Sequence, residues 1–229
     1  MMKEMEKQLF ETWKKDRAYD SFLEDGLFDE QEWKKQAVKI LYVLKEANWE
    51  NGNTDLCEYL LSEKSSTYWK TWNNIVRWTQ ALRGGGPYQY EVTKRDKTNC
   101  LRTIAALNIK KVGGDGRADD KEISQFGKRD AAFINRQIEL YQPDIIICCG
   151  RGKGKNADIL HDFVLPNKSA WQLPIGKYNY FLGTLSTGKT IPVVSFRHPQ
   201  IWGGHDALKK YYNEMLFIAD SFRKSKLLP

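Results

Sequence analysis

Four short stretches of the 229-residue chain carry side chains suited to chemistry on a ligand. Glu46 and Asn48 stand two residues apart, directly after an apolar run. A carboxylate there can activate a water or stabilise a developing cation, and an Asn can position that water. Capping of a loop is the plainer role of the same pair. Asn108 closes a second apolar run, and a buried carboxamide must find partners for its N–H and its oxygen. His198, followed by Pro199, closes a third run, where a neutral imidazole can donate to a ligand oxygen or serve only structure. Gly150-Arg151-Gly152-Lys153-Gly154-Lys155 places three cations in a glycine-rich loop between a strand and a helix. Backbone amides in that setting hold anions, though a solvated basic loop has the same composition.

One motif match points elsewhere. Gly183-Thr184-Leu185-Ser186-Thr187-Gly188-Lys189-Thr190 satisfies the pattern of a phosphate-binding P-loop. A P-loop needs a helix starting at its Lys. The continuation Ile191-Pro192-Val193-Val194-Ser195-Phe196 is β-branched and reads as a strand. The segment therefore predicts a hairpin turning at Ser186–Lys189, with a nucleotide-binding enzyme only as a lesser alternative.

The elements that must position these residues alternate. Strands are expected at 38–44, 103–109, 145–149, 178–182 and 190–196, each short and apolar. Helices are expected at 67–82, 122–141, 156–164 and 205–224, and helical spacing also runs through the first forty residues. This order predicts an α/β fold, a three-layer α/β/α sandwich around a mainly parallel sheet of four strands. Residues 1–229 are expected to form one domain, with 1–37 a helical N-terminal extension packed on it. Ligands of such sheets bind beyond the carboxyl ends of the strands, which is where Glu46, Asn48, Asn108 and His198 fall.

Composition bounds the function classes. The chain carries 36 Lys plus Arg against 29 Asp plus Glu, a net charge of +7, with eight Trp. Basic charge with aromatics suits a polyanion whose bases can be stacked upon, although a Trp-rich core explains the count equally well. No apolar run approaches the roughly 20 residues of a membrane span, and Met1–Lys15 has no apolar stretch of the secretory kind. Cys57, Cys100, Cys148 and Cys149 include no C-x-x-C pair. They read as reduced thiols, with no metal site and no cofactor, in a cytoplasmic protein that is nucleoid-associated if bacterial.

Taken in order, the segments resemble the uracil-DNA glycosylase superfamily. Leu44-Lys45-Glu46-Ala47-Asn48-Trp49 stands at that family's first motif, written GEAPG, GQDPY or GMNPG in its branches. Asn108-Ile109-Lys110-Lys111 stands at the second motif, the strand ending in a base-reading Asn. Pro143–Gly150 matches PxxVVxLG, and His198-Pro199-Gln200 matches HPS. The first motif here lacks its Gly and Pro, the iron–sulfur cysteines are absent, and the Tyr of GQDPY that excludes bases bearing a 5-substituent has no counterpart, Trp49 being nearest.

The resemblance implies a monomeric DNA glycosylase that takes a nucleotide flipped out of the duplex, or one in single-stranded DNA, and hydrolyses its N-glycosidic bond, leaving an abasic site. Asn108 would read the base, and Trp49, Tyr68 or Trp69 would stack on it. His198 would stabilise charge on the base oxygen, with Glu46 and Asn48 acting on water or on the sugar cation. Lys110, Lys111, Arg151, Lys153, Lys155 and Arg197 would hold DNA phosphates, and Trp202 would wedge into the duplex. The expected base is uracil or a larger modified base, including hypermodified phage bases removed in antiviral defence. The alternative is a non-catalytic nucleic-acid-binding protein of the same fold.

Overall fold

The structure is a computed structural model that describes the chain except residues 50, 51, 63, 66–68, 115 and 202. The strands in chain order are β1 (Leu23–Glu24), β2 (Gly26–Leu27), β3 (Ile40–Leu44), β4 (Thr54–Asp55), β5 (Ala105–Asn108), β6 (Ile145–Cys149), β7 (Tyr180–Thr184) and β8 (Thr190–Phe196). The helices are α1 (Met2–Asp16), α2 (Glu30–Lys34), α3 (Leu56–Leu61), α4 (Lys70–Leu82), α5 (Lys94–Leu101), α6 (Asp120–Arg129), α7 (Ala131–Tyr141), α8 (Asn156–Ile159) and α9 (His205–Lys224). None of the helices among the described residues is long and apolar enough to cross a membrane.

The fold is α/β with a mixed sheet. Its strand order is β2-β5-β3-β6-β8-β7. The four inner strands run parallel, while β2 and β7 pair antiparallel at the two edges. The sheet among the described residues thus has six strands, not the expected four. The β7–β8 hairpin adds one edge and the N-terminal segment adds the other. A strand of two residues, such as β2, has no room for a periodic signal.

Every residue of β3 and β6 is buried, which is how a parallel strand covered on both faces reads. Side chains alternate between two apolar layers. Ile40, Tyr42 and Leu44 join Trp72, Trp78, Met215 and Phe222 of α4 and α9 on one face. Leu41 and Val43 join Leu9, Trp13, Ile134 and Ile138 of α1 and α7 on the other. Cys148 and Cys149 fall in opposite layers, both as buried thiols.

The expected helix 122–141 is two helices. Asp130 breaks it with a backbone of φ −103° and ψ 10°. Its fully buried carboxylate accepts from Arg17 Nε at 2.8 Å and from the Tyr19 hydroxyl at 2.5 Å, tying the break to the end of α1. The expected helix 156–164 begins as α8 and continues as a π-helical turn, Leu160–Val164. It ends at Leu165, which precedes Pro166 and takes an extended backbone. The helix expected from residue 67 starts at Lys70.

The first 37 residues are more than a helical extension. Between α1 and α2 they supply β1 and β2, and Trp13, Phe22, Leu27 and Trp33 sit in the second apolar layer.

Candidate functional site

The chain leaves β3 toward β5 on one side and then crosses back to β6 and β8 on the other. Such a reversal of strand order opens a crevice at the carboxyl ends. A cleft of about 760 Å³ lies there. Its walls include Lys45, Glu46, Asn48 and Trp49 after β3, Asn108 at the end of β5, and His198 after β8. Tyr59, Trp69, Arg117 and Asp120 complete the rim. Residues more than 150 positions apart in sequence, Lys45 and His198, therefore share one cavity.

Local backbone bonds fix the floor. Leu44 stands opposite Asn108 in the β3–β5 register. The ladder continues past it, with Ile109 N–H donating to Leu44 O at 3.1 Å and Lys110 N–H to Lys45 O at 2.9 Å. Buried Asn156 closes the other side, its Nδ2 donating to Val43 O at 3.0 Å and to Cys149 O at 2.8 Å. The ends of β3 and β6 are thus clamped by one carboxamide at the start of α8. Behind His198, the buried Asn74 of α4 donates to Pro199 O at 2.7 Å, and Arg77 holds Asn74 in turn at 3.0 Å.

Glu46 is held from two sides. Its side chain is 7% exposed and accepts from Lys110 Nζ at 2.9 Å. Gly114 packs against the same carboxylate so closely that a Cβ there would collide with it. That approach comes from a short bridge, in which Gly114 N–H donates to Ala47 O at 2.9 Å and Trp49 N–H to Gly114 O at 3.2 Å. The glycine-rich segment after β5 thereby closes over the Glu46–Trp49 turn. Asn48 is exposed at the rim, with Gly116 beside its carboxamide.

His198 Nδ1 accepts from the backbone N–H of Gln200 at 3.2 Å, so the neutral ring carries its proton on Nε2. Burial, and then the nearby charge of Lys45, hold this imidazole below its ordinary pKa of 6.5. The ring is therefore a neutral donor at pH 7. Asn108, 1% exposed, donates from Nδ2 to Asp25 at 3.2 Å.

Aromatic rings form one wall. Trp49 meets Tyr59 edge-on at 4.7 Å between centroids, and Tyr59 stacks with Trp69 at 5.9 Å. Tyr59 has no motif around it and lies on the short helix α3, so no sequence signal marks it. Tyr68 and Trp202 lie outside the described residues.

The basic residues divide. Lys111 is fully buried, bound to Asp25 at 2.5 Å and Gln137 at 3.0 Å with its ammonium over Trp13, and cannot reach a phosphate. Lys110 is 6% exposed and is taken by Glu46 and Glu122. Both expectations fail for one reason. The chain continues inward past β5, so successive side chains point to partners on either face rather than to solvent. Lys155 pairs with Asp120, which Lys45 also holds at 2.6 Å. Arg197 packs over Tyr211 and reaches the Tyr178 hydroxyl at 3.3 Å, away from the cleft walls. Arg151 and Lys153 are exposed on the loop after β6, as a phosphate contact requires.

The P-loop pattern is a hairpin. Gly183 and Thr184 end β7, Thr190 begins β8, and Gly188 takes the turn at φ +84°. Lys189 is bound to Asp144 at 2.5 Å and to Gln142 O at 2.9 Å, and it leads into strand β8 rather than a helix. No group of three or more His, Cys, Asp or Glu side chains among the described residues is arranged to hold a metal ion. Compared with protein-family models, curated proteins and solved structures, the chain matches none.

Proposed function

We propose that the cleft is the active site of a DNA glycosylase with the architecture of the uracil-DNA glycosylase superfamily. The observation that carries the reading is convergence. Glu46, Asn108 and His198, from three motifs far apart in sequence, line one cavity beside an aromatic wall. A flipped base would lie against Trp49, Tyr59 or Trp69 with its edge toward Asn108. Water adds its oxygen to the sugar C1′ and the C1′–N bond breaks. The electron pair leaves on the base, and the proton lost by the water passes through Glu46 to solvent. His198, a neutral Nε2–H donor, stabilises the negative charge gathering on the base oxygen. Lys110 holds one Glu46 oxygen, leaving the carboxylate a fixed orientation toward the reacting centre. Arg151 and Lys153 would meet the phosphate backbone. A cleft of about 760 Å³ accommodates a base larger than uracil, which suits a modified base as substrate.

The experiment is an excision assay on duplexes carrying uracil, hypoxanthine, xanthine or glucosylated hydroxymethylcytosine. Abasic product from at least one of them is expected. Glu46→Gln should slow it by about 10²–10³-fold, the scale of a lost acid–base group, with duplex affinity little changed. Lys110 keeps Glu122 as a partner in that variant, so the fold should survive. Salt-dependent duplex binding with no excision of any of the four bases would favour the non-catalytic alternative.

A further inference from the structure

Asn108 belongs to a chain of buried polar groups that begins on the N-terminal helix. Asp25, 2% exposed, stands between β1 and β2. Its Oδ2 accepts from the Asn108 backbone N–H at 2.7 Å and from Asn108 Nδ2 at 3.2 Å. Its Oδ1 accepts from Lys111 Nζ at 2.5 Å and from Gln137 Nε2 at 3.0 Å. Gln137 also donates to the Tyr141 hydroxyl at 2.7 Å, and that hydroxyl donates to Glu6 of α1. Gly26, at φ +109°, follows Asp25 where any Cβ would strike Tyr141 and Glu6. Both oxygens of the carboxylate are thus held, and they face donors only.

We propose that Asp25 is a positioning residue that fixes which way round the Asn108 carboxamide stands and thereby sets the class of base the cleft takes. The proposal rests on the reading of the cleft as a base site. A half-turn about the last side-chain bond exchanges the oxygen and nitrogen of a carboxamide with almost no change of shape. An unconstrained Asn therefore offers either polarity to a ligand. Asp25 removes that freedom, because the turned carboxamide would set its oxygen against a carboxylate oxygen inside a buried site. Asn108 Nδ2 keeps one N–H for a ligand, and its Oδ1 accepts from none of the described residues. The complementary edge is a lactam, a ring N–H beside a carbonyl. Uracil, hypoxanthine and xanthine carry that edge. In the same pose cytosine or adenine sets acceptor against acceptor and donor against donor.

The test is an NMR titration of the full chain with free uracil and free cytosine, followed on the Asn108 side-chain amide. The wild type should bind uracil at least about tenfold tighter, as one bidentate pair discriminates. Asp25→Asn combined with Lys111→Met removes the lock and the buried charge together and should reduce that preference to less than about threefold. Asp25→Asn alone is the second variant. A ratio of two dissociation constants on one sample is unaffected by a fraction of unfolded chain. Absence of preference in the wild type, or an unchanged preference in either variant, overturns the proposal. Preference for uracil with no excision from any duplex overturns the glycosylase reading and leaves the role of Asp25 standing.

Discussion

His198 and Lys111 show how placement sets the chemistry of a residue. Burial lowers the His198 pKa from 6.5, and the Lys45 ammonium lowers it further. The unfolded chain binds a proton near pH 6.5 where the folded one does not, so stability falls as the pH drops through that range. Above it the penalty vanishes. An NMR titration of the His198 ring should give a midpoint below 6.5, and Lys45→Met should move it upward. If the cleft acts as proposed, activity that needs the neutral ring should persist below pH 6.5 for the same reason. Lys111 is the opposite lesson. Its charge is spent inside the core on Asp25 and Gln137. Lys111→Ala should cost about 3–5 kcal/mol in denaturant unfolding, the loss expected when one partner of a buried pair is removed. Lys153→Ala, on an exposed loop, should stay within about 0.5 kcal/mol.

At the scale of elements, the site depends on how strand ends are closed. The Gly114 bridge and the Asn156 clamp hold the segments that carry Glu46 and Asn48. Gly114→Ala should force this bridge away from Glu46 and, if the cleft excises a base as proposed, lower excision, while thermal unfolding of the core changes little; an assay beside a melting curve checks both. The hairpin of β7 and β8 was legible from its Pro and β-branched residues, and β8 and α9 span the residues their patterns indicate. The break at Asp130 was not legible. Nothing in the local pattern reveals that this carboxylate meets Arg17 and Tyr19, more than 110 residues away. The partners of Lys110 are hidden in the same way, since Glu46 and Glu122 come from other elements.

For the molecule as a whole, the +7 charge and the seven tryptophans among the described residues resolve into separate roles. Trp13, Trp33, Trp72 and Trp78 are buried and pack the layers. Trp49 and Trp69 line the cleft, while Trp171 stacks on His161 against Phe181, apart from it. Much of the positive charge named at the motifs is neutralised by internal partners, which leaves Arg151 and Lys153 as its outward part. If that loop meets DNA, Arg151→Ala with Lys153→Ala should weaken duplex binding at every sequence and flatten its salt dependence by about two phosphate contacts. Equal binding at all salt concentrations would remove the loop from the interface. The N-terminal segment is integral to this design, because it supplies an edge strand, core tryptophans and Asp25.

Short-range pattern determined the α/β alternation, the parallel inner strands and the placing of Glu46, Asn108 and His198 at strand ends. Those features follow from apolar spacing and from turn residues, which act within a few positions of the chain. The order of the strands, the antiparallel β2 edge, the burial of Lys110 and Lys111 against their partners and the lock on Asn108 were decided only by tertiary structure. Each of them is a contact between segments distant in sequence. A charged side chain carries no mark of its partner until the backbone brings the two together and excludes water from both.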